Sequence, residues 1–222
     1  ALGGTKAHAG ATAAGVVVCV RDVFKTLDVP LAGSRAVIQG FGKVGGALAY
    51  LLHSAGMRVV AVSDIGGAIY NPAGLDVASL ATHVASTGSV TGFEPADAIE
   101  AGEIWAVEAE LAVPAALGGV IDASVARTLA AKIMVEAANG PTLTDAEPVL
   151  AERGIVVVPD IVANAGGVTD SYFEWAQNRQ GYGWDDELTA SRLRASMEHA
   201  FARMWARSER AGVTLREAAF MV

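Results

Sequence analysis

Ala36-Val-Ile-Gln-Gly-Phe-Gly-Lys-Val-Gly45, running on to Val59-Val-Ala-Val-Ser-Asp64, is the stretch whose reading decides the fold. Residues 36–38 form a short apolar run with β-branched members, as expected of a strand buried on both faces. Gly40, Gly42 and Gly45 follow with G-x-G-x-x-G spacing. Residues 43–54 carry Val44, Leu48, Leu51 and Leu52 at helical intervals, and Gly56 closes that helix. Residues 59–62 supply a second strand, ending at Asp64, the acid that a dinucleotide fingerprint places about 20 residues past its glycines. Each glycine has its own task. Gly40 permits a tight turn, Gly42 lets backbone approach a pyrophosphate, and Gly45 lets the helix lie close on the strand. The free N–H groups at the helix start then meet the phosphates.

Composition agrees with that core. The chain has 222 residues, 52% of them hydrophobic, and 25 glycines, which suits an α/β domain around a buried parallel sheet. A net charge of −8 argues against nucleic acid and against an anionic membrane as partners. No apolar run is long enough to span a bilayer. Cys19 is the only cysteine, which excludes an intrachain disulfide and agrees with a cytoplasmic location. It lies in Gly15-Val-Val-Val-Cys-Val20 and reads as a small buried hydrophobe. The start at Ala1-Leu-Gly-Gly and the stop within an apolar helical pattern at Phe220-Met-Val222 read as a piece of a longer protein.

Around the fingerprint, strands and helices alternate. Residues 12–27 read as a helix, 75–85 as another, and 86–94 as loop. Residues 66–74 read as a turn, a short extended piece and a further turn. Strands are expected at 111–114, 133–135 and 155–158, with helices at 122–131 and from a Thr144-Asp-Ala-Glu147 capping box. From residue 161 the chain is mostly helical, with a loop around 180–183 and a long amphipathic helix at 188–211. Asp185-Asp-Glu187 precedes that helix and fits its dipole. The expected architecture is one α/β domain over residues 1–222, with a doubly wound, Rossmann-like, mostly parallel sheet. Residues 1–178 form its core and 179–222 a helical C-terminal extension.

Ligands of such a sheet bind beyond the strands' carboxyl ends. Those positions hold Gly40, Phe41, Gly42, Lys43, Val44 and Gly45, then Ser63 and Asp64, then Ala115 and Ala116, then Ala138 and Asn139, and last Asn164. Glycine, alanine and amide can line a flat ring and bond a carboxamide, but they do no strong acid–base work. Lys43 is either a phosphate contact or a solvated surface lysine. His8, His53, His83 and His199 have no metal-ligand spacing, and no metal site is expected.

Gly40-Phe-Gly-Lys-Val-Gly45, Pro114-Ala-Ala116, Glu136-Ala-Ala-Asn-Gly-Pro-Thr142, Pro159-Asp-Ile-Val-Ala-Asn-Ala-Gly-Gly-Val168 and Ser171-Tyr-Phe-Glu-Trp-Ala-Gln-Asn-Arg-Gln-Gly181 together resemble the coenzyme domain of glutamate dehydrogenase. Leucine, phenylalanine and valine dehydrogenases share the Asn-Ala-Gly-Gly-Val segment. The resemblance implies reversible oxidative deamination of L-glutamate to 2-oxoglutarate and ammonia, with hydride passing to NAD or NADP. It implies that Thr12 and Asn164 hold the nicotinamide carboxamide and that Asn139 contacts the nicotinamide ribose. It further implies that Val168 and Ser171 reach the substrate, and that the parent protein is a homo-hexamer. A helix cap at Thr12 and a helix-surface hydroxyl at Ser171 are the non-functional alternatives.

The family's catalytic lysine and aspartate belong to an N-terminal domain not found in this sequence. Lys6 lies in the Gly3-Gly-Thr-Lys-Ala-His8 junction and takes no catalytic role, so the chain is expected to bind coenzyme without turning over. His8 and Ala13-Ala14 depart from the family's usual Arg and Gly-Arg, which puts interdomain contacts in doubt. Asp64 would accept ribose hydroxyls and repel a 2′-phosphate, and Ile65-Gly66-Gly67 offers no cation to pair one, so the reading leans to NAD over NADP. Another amino-acid dehydrogenase, or a stand-alone nucleotide sensor, remains the alternative.

Overall fold

The structure is a computed structural model and describes residues 10–222. The expected readings of Lys6 and His8 lie outside the described residues. The chain order is α1 (Ala11–Thr26), β1 (Arg35–Gln39), α2 (Lys43–Ser54), β2 (Arg58–Asp64), β3 (Gly67–Tyr70), α3 (Val77–Thr87) and β4 (Asp97–Ile99). A 3-10 turn at Ala101–Ala106 leads to β5 (Leu111–Pro114), α4 (Ala123–Thr128), β6 (Ile133–Val135), α5 (Ala146–Glu152) and β7 (Val156–Val158). Four helices finish the chain: α6 (Asp160–Ala163), α7 (Gly166–Gln180), α8 (Asp186–Ala211) and α9 (Leu215–Met221).

The seven strands form one sheet in the order β4-β3-β2-β1-β5-β6-β7. β1 pairs in parallel with β2 on one side and β5 on the other, and β6 and β7 continue in parallel. β3 alone runs against the rest, pairing antiparallel with both β2 and β4. Two strands thus join the five expected from sequence. Residues 67–70, the short extended piece, form β3, and the unforeseen β4 is a three-residue edge strand. Helices cover both faces. One apolar layer joins α1, α2, α3, α7, α8 and α9 to Ile38, Val62 and Val113. The other packs the 3-10 turn, α4 and α5 on Val37, Val60, Ala61 and Ala112.

Local chemistry sets the helix bounds. Asp76 accepts from the N–H groups of Ala78 and Ser79 and starts α3, while Asp122 accepts from Val125 and starts α4. Asp185 likewise caps α8, accepting from Leu188 N–H at 2.7 Å. The capping box expected at Thr144 does not form: Asp145 stands at the N-cap of α5 with no side-chain bond. Glu147, its reciprocal partner, is drawn instead to Arg216, Nε to Oε1 2.6 Å. A genuine capping box starts α9, where Thr214 and Glu217 exchange bonds. The boundary read at residues 178 and 179 falls inside α7. Among the described residues no helix is long and apolar enough to cross a membrane.

Candidate functional site

Register brings the strand ends level. Gln39 of β1 stands opposite Ser63 of β2 on one side and Pro114 of β5 on the other. Main-chain bonds extend this row past the strands, from Gly40 N–H to Ser63 C=O at 2.9 Å and from Ala115 N–H to Gln39 C=O at 2.8 Å. Ala137 and Ala138 both donate to Pro114 C=O, at 3.0 and 2.9 Å. The chain leaves β1 toward β2 on one side, and β5 begins the other half. The cleft between β1 and β5 is therefore the switch point where open α/β sheets bind ligands.

Gly40 sits in that cleft with φ +102°, and a Cβ there would lie 2.8 Å from the Ala116 Cβ and 3.0 Å from Ala115 backbone. Gly42 is exposed and faces open space: a Cβ on it would meet nothing within 4 Å. It is the N-cap of α2 and offers no side-chain bond, and the helix ladder begins with Gly46 N–H to Gly42 C=O at 2.8 Å. The N–H groups of Lys43, Val44 and Gly45 precede that bond at the positive end of the helix. An uncapped helix start over a glycine with clear space above it fits a diphosphate. Lys43 is exposed beside it. Phe41 lies within the same turn. The ring is buried in the core against Gly46, and only its backbone belongs to the turn.

Asp64 ends β2, as read from sequence, but its carboxylate already has partners. Oδ1 accepts from Gly66 N–H at 2.7 Å and from Ser89 Oγ at 3.1 Å, and Oδ2 accepts from Val90 N–H at 2.6 Å. It therefore fastens the loop after α3 to the β2–β3 turn. A carboxylate has about four acceptor positions, so one remains for a ribose hydroxyl. Ser63, beside it, is buried.

At the far end of the row, Asn164 Nδ2 donates to Asn139 Oδ1 at 2.6 Å and to Ala137 C=O at 3.4 Å. The two asparagines, 25 positions apart in sequence, form one polar spot. Behind it stands a charged cluster that sequence reading did not select. Glu136 is 0% exposed and accepts from Thr142 Oγ1 at 2.5 Å, from Asp160 N–H at 2.8 Å and from Arg216 Nη2 at 2.6 Å. Arg216 Nη1 also lies 3.4 Å from Asp160 Oδ1. Burial pushes the Glu136 carboxyl above its ordinary value, while Arg216, Thr142 and the Asp160 N–H pull the other way. Burial also opposes the charge on Arg216, but the surrounding carboxylates outweigh it and hold the guanidinium above its ordinary value. A charge ending the apolar run Ile133-Met-Val135 was the one sequence signal for this cluster.

α1 and α7 meet through glycine. A Cβ on Gly15 would lie 2.9 Å from the Gly166 Cα, and one on Gly166 would lie 2.3 Å from the Ala11 carbonyl oxygen. A Cβ on Gly167 would meet Thr12 Oγ1 at 2.6 Å, so Thr12 of α1 packs against the first turn of α7, which follows shortly after Asn164 in the chain. Gly10, not Thr12, is the N-cap of α1, which removes the capping alternative for Thr12. Along α7, Val168 is 69% exposed, and Tyr172 and Trp175 are exposed with it. Ser171 is exposed on the same helix and donates to Gly167 C=O at 3.1 Å, the ordinary back-bond of a helix hydroxyl. Among the described residues no group of histidines, cysteines or carboxylates could hold a metal ion.

Comparison with known proteins gives concordant results. The family model described as Glutamate/Leucine/Phenylalanine/Valine dehydrogenase matches residues 3–222. The catabolic NAD-specific glutamate dehydrogenase RocG of Bacillus subtilis is 44% identical over 220 residues, covering 99% of this chain and 52% of its own length. The NADP-specific glutamate dehydrogenase A1 of Halobacterium salinarum is also 44% identical, over 99% of this chain and 53% of its own length. Among solved structures, the hetero-hexameric glutamate dehydrogenase of Thermus thermophilus in its Leu-bound form superposes with a TM-score of 0.92. It is 34% identical over 98% of this chain and 51% of its own. The chain thus spans about half the length of the curated relatives it matches.

Proposed function

Since the chain belongs to the glutamate/leucine/phenylalanine/valine dehydrogenase family, we propose that it is the coenzyme-binding half of an L-glutamate dehydrogenase. The observation that carries the coenzyme reading is the turn from Gly40 to Gly42. It opens an uncapped helix at the sheet's switch point, with clear space over Gly42. In this reading the N–H groups of Lys43, Val44 and Gly45 hold the pyrophosphate, with Gly40, Ala115 and Ala116 walling the cleft. Asp64, beside Ser63, takes an adenosine ribose hydroxyl on its remaining acceptor position. Thr12, Ala138, Asn139 and Asn164 face the nicotinamide end, where amide groups match a carboxamide in both donor and acceptor. Val168 and Ser171 line the adjoining substrate side.

The bound nicotinamide supplies the hydride acceptor for oxidation of the amino acid. The residues of this chain orient it; the carboxylates at the strand ends, Asp64, Glu136 and Asp160, are engaged by backbone N–H groups, by Ser89 and Thr142 and by Arg216, and take no acid–base role in this reading. We therefore assign this chain binding and alignment, with the acid–base groups outside it and no turnover by these residues alone. NAD is favoured over NADP, because Asp64 repels a 2′-phosphate and Ile65-Gly66-Gly67 carries no cation to compensate. The substrate class rests on the relatives named as glutamate dehydrogenases. A homo-hexameric parent and a reducing, cytoplasmic setting for the single cysteine complete the proposal.

The test assays the product of the whole reading frame with glutamate, leucine, valine and phenylalanine under saturating NAD. Glutamate is expected to give the highest kcat/KM. A preference for a branched or aromatic amino acid moves the protein elsewhere in the family, and coenzyme binding without any oxidation makes it a nucleotide sensor.

A further inference from the structure

The cluster behind the asparagines ties a distant part of the chain to the coenzyme cleft. Residues 136–142 form a loop whose two ends are joined by the bond from Thr142 Oγ1 to the Glu136 carboxylate. Its outer part is held by Asp160, whose Oδ2 accepts from Gly140 N–H at 2.7 Å, directly beside Asn139. Asp160 also starts the short helix α6, whose C-cap is Asn164, and its own N–H is bonded to Glu136. The two carboxylates therefore fix the backbone on which both asparagines are mounted. One guanidinium, from α9, bridges them and reaches Glu147 as well. The Arg216 fork can do this because its nitrogens lie in one plane and point in three directions; a lysine offers one compact ammonium on a flexible stem and cannot span all three carboxylates in this fixed geometry.

We infer that Arg216 is a positioning residue for the nicotinamide end of the coenzyme. It acts through Glu136 and Asp160 to hold Asn139 and Asn164 in their mutual hydrogen bond. This inference rests on the coenzyme reading above and adds a part of the chain that lies outside the cleft. Since Arg216 sits on α9, the seating of the last helix is coupled to how well a carboxamide is received. Among the described residues, no hydrogen bond or ion pair of the cluster reaches the turn at Gly40 to Gly42, so the diphosphate end is the less affected of the two.

The two ends are separable by ligand. NADH carries the nicotinamide and ADP-ribose lacks it, while both present the same adenosine and diphosphate. Calorimetric titrations compare wild type with Arg216→Met. Because that change strands the Glu136 charge in the interior, Arg216→Met combined with Glu136→Gln is measured alongside. The expected result is a Kd for NADH weakened about tenfold, the cost of roughly one misplaced hydrogen bond. ADP-ribose affinity stays within about twofold of wild type, and Arg216→Lys recovers only part of the loss. Equal weakening of both ligands, or no change in either, in the variant that folds overturns the inference while leaving the coenzyme reading intact. A wild-type chain that binds neither ligand overturns both.

Discussion

Replacing Gly45 by alanine tests the tightest contact in the fingerprint. A Cβ at Gly45 would lie 1.8 Å from the Gly40 carbonyl oxygen and 2.8 Å from the Gly40 carbonyl carbon, with Ile38 Cγ2 at 3.6 Å. The obstructing atoms are backbone of a turn held by Gly40 N–H to Ser63 C=O, so no side chain can rotate aside. α2 must lift away from β1 by over an ångström. Overpacking of this kind costs about 3 kcal/mol at the upper end of its usual range. Alanine's helix preference over glycine returns about 1 kcal/mol, leaving a net loss of about 2 kcal/mol. For a chain of this size that is a melting temperature lowered by about 4–8 °C.

The neighbouring Gly46 supplies the control. A Cβ there meets Phe41 at 3.8 Å, an ordinary contact, and the residue lies in the same helix. Gly46→Ala should therefore be neutral or stabilising by up to about 1 kcal/mol. Thermal melts followed by circular dichroism read both variants. If Gly45→Ala melts at or above Gly46→Ala, the close approach of helix and strand is refuted, and with it the reason for the third glycine.

Three other measurements bear on separate parts of the account. Burial first, and the nearby Asp22 second, push the Cys19 thiol up to about 12, so it should resist a thiol-specific reagent at pH 8 and react fully in denaturant; prompt labelling of the folded chain contradicts its burial. Asp64→Ser should raise the ratio of NADPH to NADH affinity by removing a charge from the ribose end, and should lower stability by about 1–3 kcal/mol as Gly66 and Val90 lose their acceptor; an unchanged ratio denies Asp64 any part in choosing the coenzyme. Hydrogen bonding to Arg35 holds the Glu110 carboxyl below its ordinary value, so its contribution is complete above the unfolded value and lost as pH falls through the folded one. Because both side chains are about a third exposed, Glu110→Gln should cost only about 0.5 kcal/mol at pH 7, and denaturant melts should show that gap closing below the carboxylate range; a gap constant into strong acid rules the pair out.

What sequence could and could not disclose follows from the range of the interactions. β1, α2 and β2 were legible almost to the residue, because strand run, glycine turn and apolar helix face are all local patterns. β4 was not: Asp97-Ala-Ile99 has little strand character, and only its pairing with β3 makes it one. The false capping box at Thr144 and the true one at Thr214 carry equivalent sequence signals. What separates them is Arg216, which is distant in sequence and claims Glu147. The same distance hid the cluster around Glu136, since Arg216 lies 80 positions away along the chain. The close approach at Gly15, Gly166 and Gly167 depends on α1 and α7, far apart in the chain, being brought into contact. The pairing of Asn139 with Asn164, by contrast, could be anticipated from their places after adjacent parallel strands.

The account depends most on the claim that the uncapped start of α2 receives a coenzyme diphosphate. Calorimetric titration of the folded chain with NADH addresses this directly, with NADPH and ADP-ribose as companions. Saturable one-to-one binding of NADH, tighter than that of NADPH, is the result predicted. A chain that melts cooperatively and yet releases no heat of binding with any of the three contradicts it.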